Sequence, residues 1–220
     1  MRRNGSRPAR RCIVLALGAR ALSERGWPSL VEDPDAAAVR AARSIAYVIG
    51  ERPVVVTHRF SVDLEERLRR HLQRALGRVV RAIPSLDRDV IVRHLDHSPV
   101  ALCASSRATS CNDVAASDLA ASLGADMLML LTDEPVVWTQ PPDSDPRALR
   151  TLAPADVASL RVDPAVDRVL AVATRFVEAT GRPSAIGAID HVEAMLLGEG
   201  GTMIRERAPL SYYGPRLPSG

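Results

Sequence analysis

Lysine is absent from this sequence: all 29 basic residues are arginine. A site that needs a compact positive charge must therefore use arginine, whose planar fork meets an anion with a different geometry. Aromatic residues make up only 3% of the chain, so the core must be built from Ala, Val, Leu and Ile. No apolar run approaches the roughly 20 residues that a membrane helix needs, so we expect no membrane partner.

Cysteine is also scarce. Three cysteines cannot form a disulfide framework, which favours a reducing, cytoplasmic location. Cys103 and Cys111 flank one turn, where a reactive thiol or a disulfide is an alternative. The sequence favours two small buried residues instead.

The positive net charge belongs to one end of the chain. Five arginines lie within residues 1–11, and the rest has 24 arginines against 26 acidic residues. We expect residues 1–11 to be a disordered tail and the folded part to bind no nucleic acid. A phosphate or RNA contact by the tail is the alternative. The tail with residues 12–17 also imitates a signal peptide, but its removal would delete the first predicted strand.

Strand and helix patterns alternate along the chain, which predicts an α/β fold: a three-layer αβα sandwich with a mainly parallel sheet. We expect one domain over residues 12–205 and an irregular tail over 206–220. The segments "VVVTH", "MLMLLT" and "SAIGAI" are apolar on both faces and should be interior strands. Residues 77–83 and 89–105 are expected to supply two or three further strands. Asn112 and Asp113 are expected to cap a helix that ends at Gly124.

Seven short motifs follow one another in the order seen in carbamate kinases. They are "ALGARAL" (residues 16–22), "THRFSV" (57–62), "CASSRAT" (103–109), "CNDVA" (111–115), "SLGADMLMLLTD" (122–133), "RTLAPADVASL" (150–160) and "RFVEATGRPSAIGAI" with "GGTMI" (175–204). The chain therefore resembles carbamate kinases and, more broadly, the amino-acid kinase superfamily. It is shorter than a carbamate kinase, because only about 45 residues separate Thr57 from Cys103 and leave no room for the protruding subdomain.

The resemblance implies phosphoryl transfer between ATP or ADP and a carbamate- or carboxylate-type substrate. It places catalytic positions at Asn112 and Asp113 and nucleotide contacts at Thr132, Asp133 and Arg168. The candidate phosphate or substrate contacts lie at the turns that correspond to the family's glycine-rich turns, and they are Gly18, Arg20, His58, Arg59, Ser106 and Arg107. ATP with Mg²⁺ is the cofactor if the protein is active; otherwise no cofactor is expected.

The sequence departs from the family pattern in the segments that the resemblance assigns to phosphate binding and catalysis. Three glycine-rich turns have each lost glycines and gained an arginine: Arg20, Arg59 and Arg107. Asn112 stands where the family has a lysine, and "RVDPAVDRV" (residues 161–169) lacks a second one. Phosphoryl transfer depends on backbone amides and cations placed around the phosphates. The turns therefore resemble phosphate sites that have been overwritten.

Each of these residues also has a simpler explanation. Asp113 can be a helix cap, Asp133 can end a strand, and the three arginines can be ordinary surface residues. His58, His94 and His97 suggest a metal, but His94 and His97 would face opposite sides of a strand, and no carboxylate or cysteine completes a site. We therefore expect no metal.

Two functions remain open from the sequence. The first is a catalytically impaired protein that binds a small anion, or that serves as a subunit with a partner or with copies of itself. The second is an active phosphotransferase in which arginines have taken new roles. If the first holds, Arg20, Arg59 and Arg107 should converge at one edge of the sheet.

Overall fold

A computed structural model of the chain describes residues 11–18, 21–22, 33–105, 111–140 and 145–214. Its first half contains, in chain order, β1 (Ile13–Leu17), α1 (Pro34–Glu51), β2 (Val54–His58), α2 (Val62–Leu76), β3 (Ala82–Ile83), α3 (Arg88–Leu95), β4 (Val100–Ala104) and α4 (Asn112–Leu123). Its second half contains β5 (Met127–Thr132), β6 (Trp138–Thr139), β7 (Arg147–Leu152), a 3₁₀ helix (Pro154–Ser159), α5 (Pro164–Thr180), β8 (Ser184–Ala188), a 3₁₀ helix (Ile189–His191), α6 (Val192–Leu197), β9 (Thr202–Ile204) and β10 (Ser211–Tyr212).

The strands form one mixed sheet in the order β10-β7-β9-β8-β5-β1-β2-β4-β3, with β6 paired to β7. The central pairs, from β8 through β5, β1, β2 and β4 to β3, are all parallel. Antiparallel pairing occurs only between β8 and β9, β6 and β7, and β7 and β10 among the described strands. The α/β fold with a mainly parallel sheet is thus confirmed, and β2, β5 and β8 are interior strands as predicted.

Helices cover both faces of this sheet. The side chains of β1 alternate between two cores: Leu15 joins the core beneath α1 and α2, and Val14 joins the core beneath α4 and α5. Phe176 of α5 fills the second core and is fully buried. Because both faces of the central strands are covered, these strands are continuous apolar runs rather than alternating ones.

Residues 88–95 form a helix, so the prediction of a strand there is wrong. Asp87 caps this helix, and its carboxylate accepts hydrogen bonds from the backbone N–H groups of Asp89 and Val90. Ile91 and Leu95 face the core at helical spacing. The β-branched sequence "DVIV" favours a strand locally, and the cap with the i, i+4 burial overrides it.

Two further stretches differ from the sequence analysis. Of residues 77–83, only Ala82 and Ile83 are in a strand, because Gly77 ends α2 in the left-handed conformation and starts a loop. Ser211 and Tyr212, within the segment expected to be irregular, pair with β7, and the Tyr212 ring lies 3.7 Å from the guanidinium carbon of Arg147.

In the part of the chain that the structure describes, no helix is both long and apolar enough to cross a membrane.

Candidate functional site

The ends of five parallel strands define the candidate site. β1, β2, β4, β5 and β8 run in the same direction, so their carboxyl ends lie along one edge of the sheet. The helix α4 begins at the same edge. Open parallel sheets bind their ligands at such an edge, in the crevice outside the carboxyl ends of the strands.

Asn112 joins three of these strand ends. Its side-chain amide donates hydrogen bonds to the carbonyl oxygens of Leu17 (3.2 Å) at the end of β1 and Thr57 (3.4 Å) in β2. Its amide oxygen lies 3.1 Å from the hydroxyl of Ser105, which follows β4 and also lies 3.1 Å from the carbonyl oxygen of His58. We call this network of Leu17, Thr57, His58, Ser105 and Asn112 the strand-end junction. Asn112 is buried in this junction, and its side-chain amide carries no charge.

The predicted helix cap is wrong in one respect. Cys111, rather than Asn112 or Asp113, occupies the capping position of α4, and it makes no side-chain capping hydrogen bond. Asn112 and Asp113 are the first two residues of the helix. The Asn112 side chain makes its hydrogen bonds within the strand-end junction rather than to the backbone of α4. Cys111 is exposed, contrary to the expectation of a buried pair, whereas Cys103 is buried.

His58 is fully buried at the end of β2. Its Nδ1 accepts a hydrogen bond from the backbone N–H of Phe60 (3.3 Å), and its ring stacks on the ring of Phe60. Its Nε2 lies 3.5 Å from Glu65 Oε2, which is beyond a normal hydrogen bond. Burial lowers the pKa of His58 to about 4, so the ring is neutral at pH 7 with its proton on Nε2.

Beside the strand-end junction lies a cleft of about 410 Å³, which we call the strand-end cleft. One wall is the apolar side of α5, from Val166 through Val169 to Val172, and the floor includes Leu131 and Ile186. This volume lies within the range of small-molecule sites. The cleft is also lined by Gly18, Cys111, Asp113, Thr132, Asp133, Glu134 and Arg168.

Carboxylates outnumber cations in the described walls of this cleft. Asp113, Asp133 and Glu134 contribute three carboxyl groups, and Arg168 contributes one guanidinium. Burial raises the pKa of Asp113 above its ordinary value. A carboxyl group whose charged form is disfavoured in this way is typical of sites that take part in proton transfer or ligand binding.

Gly18 forms the part of the cleft nearest to β1. Its carbonyl oxygen accepts a hydrogen bond from the backbone N–H of Ala21 (3.1 Å), so the chain turns at this point. A Cβ atom at Gly18 would lie 3.3 Å from the carbonyl oxygen of Leu131, which is a tight contact. The glycine therefore permits a close approach between the ends of β1 and β5.

The structure brings together some of the site residues that the resemblance implied. Gly18, Asp113, Thr132, Asp133 and Arg168 all line the strand-end cleft. Asn112 and His58 belong to the buried strand-end junction instead. Arg59 is exposed just after β2. Arg20, Ser106 and Arg107 lie outside the described residues, so the convergence of the three arginines stays a prediction.

Glu134 and the valine wall of the cleft were not predicted from the sequence. Val166, Val169 and Val172 recur every three residues along α5, which is a readable signal for one apolar helix face. That pattern predicts an apolar face on α5, but it does not tell whether this face packs in the core or lines a cleft. Glu134 carries no pattern of its own, because it follows the strand in a loop whose path depends on the fold.

Metal ligands do not cluster in the described part of the chain: no three His, Cys, Asp or Glu side chains there are placed to hold one ion. His94 lies on α3 rather than on a strand, and its Nε2 is 2.9 Å from the carbonyl oxygen of Val100. His97 is exposed in the following turn. The expectation that His94 and His97 face opposite sides of a strand is therefore wrong.

Comparison with known proteins gives sequence matches to carbamate kinases and many matches in fold. No protein-family model matches the chain. The carbamate kinase of Escherichia coli strain K12 is 33% identical over 102 residues, which are 46% of this chain and 34% of that protein. The match thus spans about a third of the length of the curated relatives.

Among solved structures, carbamate kinase from Giardia lamblia bound to AMP-PNP superposes with a TM-score of 0.70 at 16% identity, over 90% of this chain and 99% of that one. UMP kinase from Bacillus anthracis superposes with a TM-score of 0.66 at 17% identity, over 94% and 100% of the two chains. At these identities the superpositions establish a shared fold.

Proposed function

We propose that this chain is a member of the amino-acid kinase superfamily, a carbamate kinase-like protein with impaired catalysis that binds a small anion at its strand ends. Its resemblance to carbamate kinases supplies the reaction that such a site would otherwise perform. The departures of this chain from that pattern supply the reason for the impairment. They lie in one buried network and in the charge of the cleft beside it.

The observation that carries this proposal is the state of Asn112. The resemblance places a lysine at this position, and the chain has a neutral amide whose donors and acceptor already face Leu17, Thr57 and Ser105. An amide engaged in this way cannot reach into the cleft to neutralise a transferring phosphoryl group. Stabilisation of that developing charge is the main work of a phosphotransferase site.

The charge of the strand-end cleft supports the same conclusion. Its described walls present three carboxyl groups and one guanidinium, so they repel a triphosphate more than they attract it. Arg168 is exposed on α5 and can contact one phosphate, but its fork does not replace the compact charge of a lysine. We therefore infer that Mg·ATP binds weakly or not at all.

An active phosphotransferase is the second candidate, and one observation favours it. Asp113, Gly18 and Arg168 line the same cleft, and Asp113 keeps the position of the aspartate that the resemblance implies. In this case Arg168 would carry the charge stabilisation, with ATP and Mg²⁺ as cofactors. The two candidates differ in whether a phosphoryl group is transferred.

Activity tests these two candidates directly. Purified protein with ADP, Mg²⁺ and carbamoyl phosphate is expected to form ATP no faster than the same mixture without protein. An active carbamate kinase in a parallel reaction shows that the assay works. ATP formation above background that is lost in Asp113→Asn would overturn the proposal and establish the second candidate.

Anion binding is tested by thermal unfolding. Phosphate at about twenty times its Kd would stabilise the folded state by about 2 kcal/mol. For a domain of this size, that corresponds to a rise in Tm of roughly 4–7 °C. Arg59→Ala should remove the rise, whereas Arg93→Ala, an exposed arginine on α3, should keep it. No rise above that given by sodium chloride of equal ionic strength, or an equal rise in both variants, contradicts an anion site at Arg59.

A further inference from the structure

The second half of α2 and the loop after it carry an unusual concentration of positive charge. Residues 67–86 contain six arginines and no acidic residue. The chain beyond residue 11 has 24 arginines and 26 acidic residues, so 18 arginines and all 26 acidic residues lie outside this segment. Charge is therefore segregated within the fold, and this segment is strongly positive against a negative remainder.

Only part of this charge is neutralised by residues that the structure describes. Arg67 pairs with Asp63 (2.8 Å), and Arg69 pairs with Glu66 (2.6 Å). Arg70 reaches Glu66 only at 3.8 Å. Arg74, Arg78 and Arg81 are exposed, and none of them forms an ion pair with a described residue. We call Arg70, Arg74, Arg78 and Arg81 the arginine strip.

The loop is held against the helix, so the strip is one surface. Gly77 ends α2 in the left-handed conformation and turns the chain back. The backbone N–H of Val80 then donates to Gln73 Oε1 (3.2 Å), and Arg69 Nη1 donates to the carbonyl oxygen of Val80 (3.4 Å). Arg70 and Arg74 share a helix face because they are four residues apart.

An exposed apolar side chain lies within the strip. Val79 is 69% exposed, although its neighbour Val80 is fully buried. A single exposed valine is ordinary on a protein surface, and a cation near a helix C-terminus is favoured by the helix dipole. These reasons account for Arg74, but Arg78 and Arg81 lie beyond the helix, on either side of the two valines.

We propose that the arginine strip, together with Val79, binds a peptide segment of a partner protein. This segment carries both acidic and apolar side chains. Arginine forks pair with carboxylates in a bidentate geometry, and Val79 gives such a segment an apolar contact. Single-stranded nucleic acid fits less well, because residues 67–86 themselves contain no Phe, Tyr or Trp on which a base could stack. The surface is distinct from the strand-end cleft: α2 starts beside the end of β2 and runs back to the opposite edge of the sheet.

The test measures binding of a fluorescein-labelled peptide of Glu-Glu-Leu repeats by fluorescence anisotropy, with an all-Glu peptide of equal charge and poly-uridylate RNA as competing probes. The full chain is expected to bind the Glu-Glu-Leu peptide most tightly. The double variant Arg74→Glu/Arg78→Glu should weaken this binding at least about tenfold. The matched control Arg43→Glu/Arg207→Glu, with the same change of charge at exposed arginines elsewhere, should change it by less than about twofold.

Val79→Ser should lower the affinity for the Glu-Glu-Leu peptide to that for the all-Glu peptide, with Tm unchanged. Absence of peptide binding, or equal losses in the two double variants, overturns the proposal. Tighter binding of RNA than of either peptide also overturns it and makes the strip a nucleic-acid surface. Each of these outcomes is independent of ATP formation, because the strip and the strand-end cleft lie at opposite edges of the sheet.

Discussion

Asn112→Ala is expected to lower the free energy of unfolding by about 3 kcal/mol, because it removes three buried hydrogen bonds that join the strand ends. The carbonyl oxygens of Leu17 and Thr57 lose the Asn112 amide as a donor, and the hydroxyl of Ser105 keeps only the carbonyl oxygen of His58 as an acceptor. Each hydrogen bond of this kind contributes roughly 0.5–1.5 kcal/mol net, so the loss of three accounts for the expected change. Urea unfolding measures the change through its midpoint.

Two further variants identify the cause of this loss. Ser122→Ala, also on α4, removes a hydroxyl whose hydrogen bond to Leu119 stays within the helix, so it should cost less than about 1 kcal/mol. Asn112→Asp keeps the shape but turns a carboxylate toward two carbonyl oxygens. It should be strongly destabilised at neutral pH and should recover at low pH, where the carboxyl is protonated. If Asn112→Ala is no worse than Ser122→Ala, the strand-end junction does not hold the strands together.

The expected loss bears on function as well as on stability. If Asn112 has become a structural residue, the chain cannot regain a lysine at this position without breaking the strand-end junction. The impairment proposed for catalysis would then be fixed by the packing of the strand ends. This outcome would agree with the usual opposition between active-site chemistry and stability.

The central sheet could be predicted from the sequence because its signal is local. In β5, each of the first five residues is apolar and buried, and the run ends where Thr132 reaches solvent. Continuous burial requires cover on both faces, and the alternating helices supply it. The helix α2 was likewise predictable to the residue, because Ser61 caps it and Gly77 ends it in the left-handed conformation.

The candidate site could be predicted only in part, since it is assembled from distant residues. Gly18 and Asp133 end two neighbouring parallel strands, so their proximity follows from the topology. The role of Asn112 does not follow from any local pattern. Its position after Cys111 resembles that of a capping residue, and its actual partners are 95 and 55 residues away along the chain.

His58 could not be interpreted from the sequence for a related reason. A histidine at a strand end is equally compatible with a ligand contact and with burial, and its protonation depends on what surrounds the ring. Here the ring is buried against Phe60, and Glu65 is too far from Nε2 for a normal hydrogen bond. Burial therefore determines the charge of His58, and the consequence can be measured.

The stability of the protein is expected to fall as pH decreases from about 6.5 to about 4, and His58 should account for about 3 kcal/mol of the fall. The pKa of His58 is about 4 in the folded state, against 6.5 for a histidine side chain in water, so the unfolded chain binds the extra proton in this interval. Stability from this group is thus present above pH 6.5 and is lost toward pH 4.

His58→Asn isolates this contribution, since an asparagine oxygen can accept the hydrogen bond from the N–H of Phe60 but does not titrate in this range. Urea unfolding at pH 7 and near pH 4 should show that the wild type loses about 3 kcal/mol more than the variant. His97→Asn, at an exposed histidine, should lose as much as the wild type. Other histidine–carboxylate contacts, such as that of His71 with Asp35, are present in all three proteins and cancel in the comparison. An equal loss in wild type and His58→Asn would mean that Glu65 approaches Nε2 and keeps the ring protonated in the fold, and Glu65→Gln would then restore the difference.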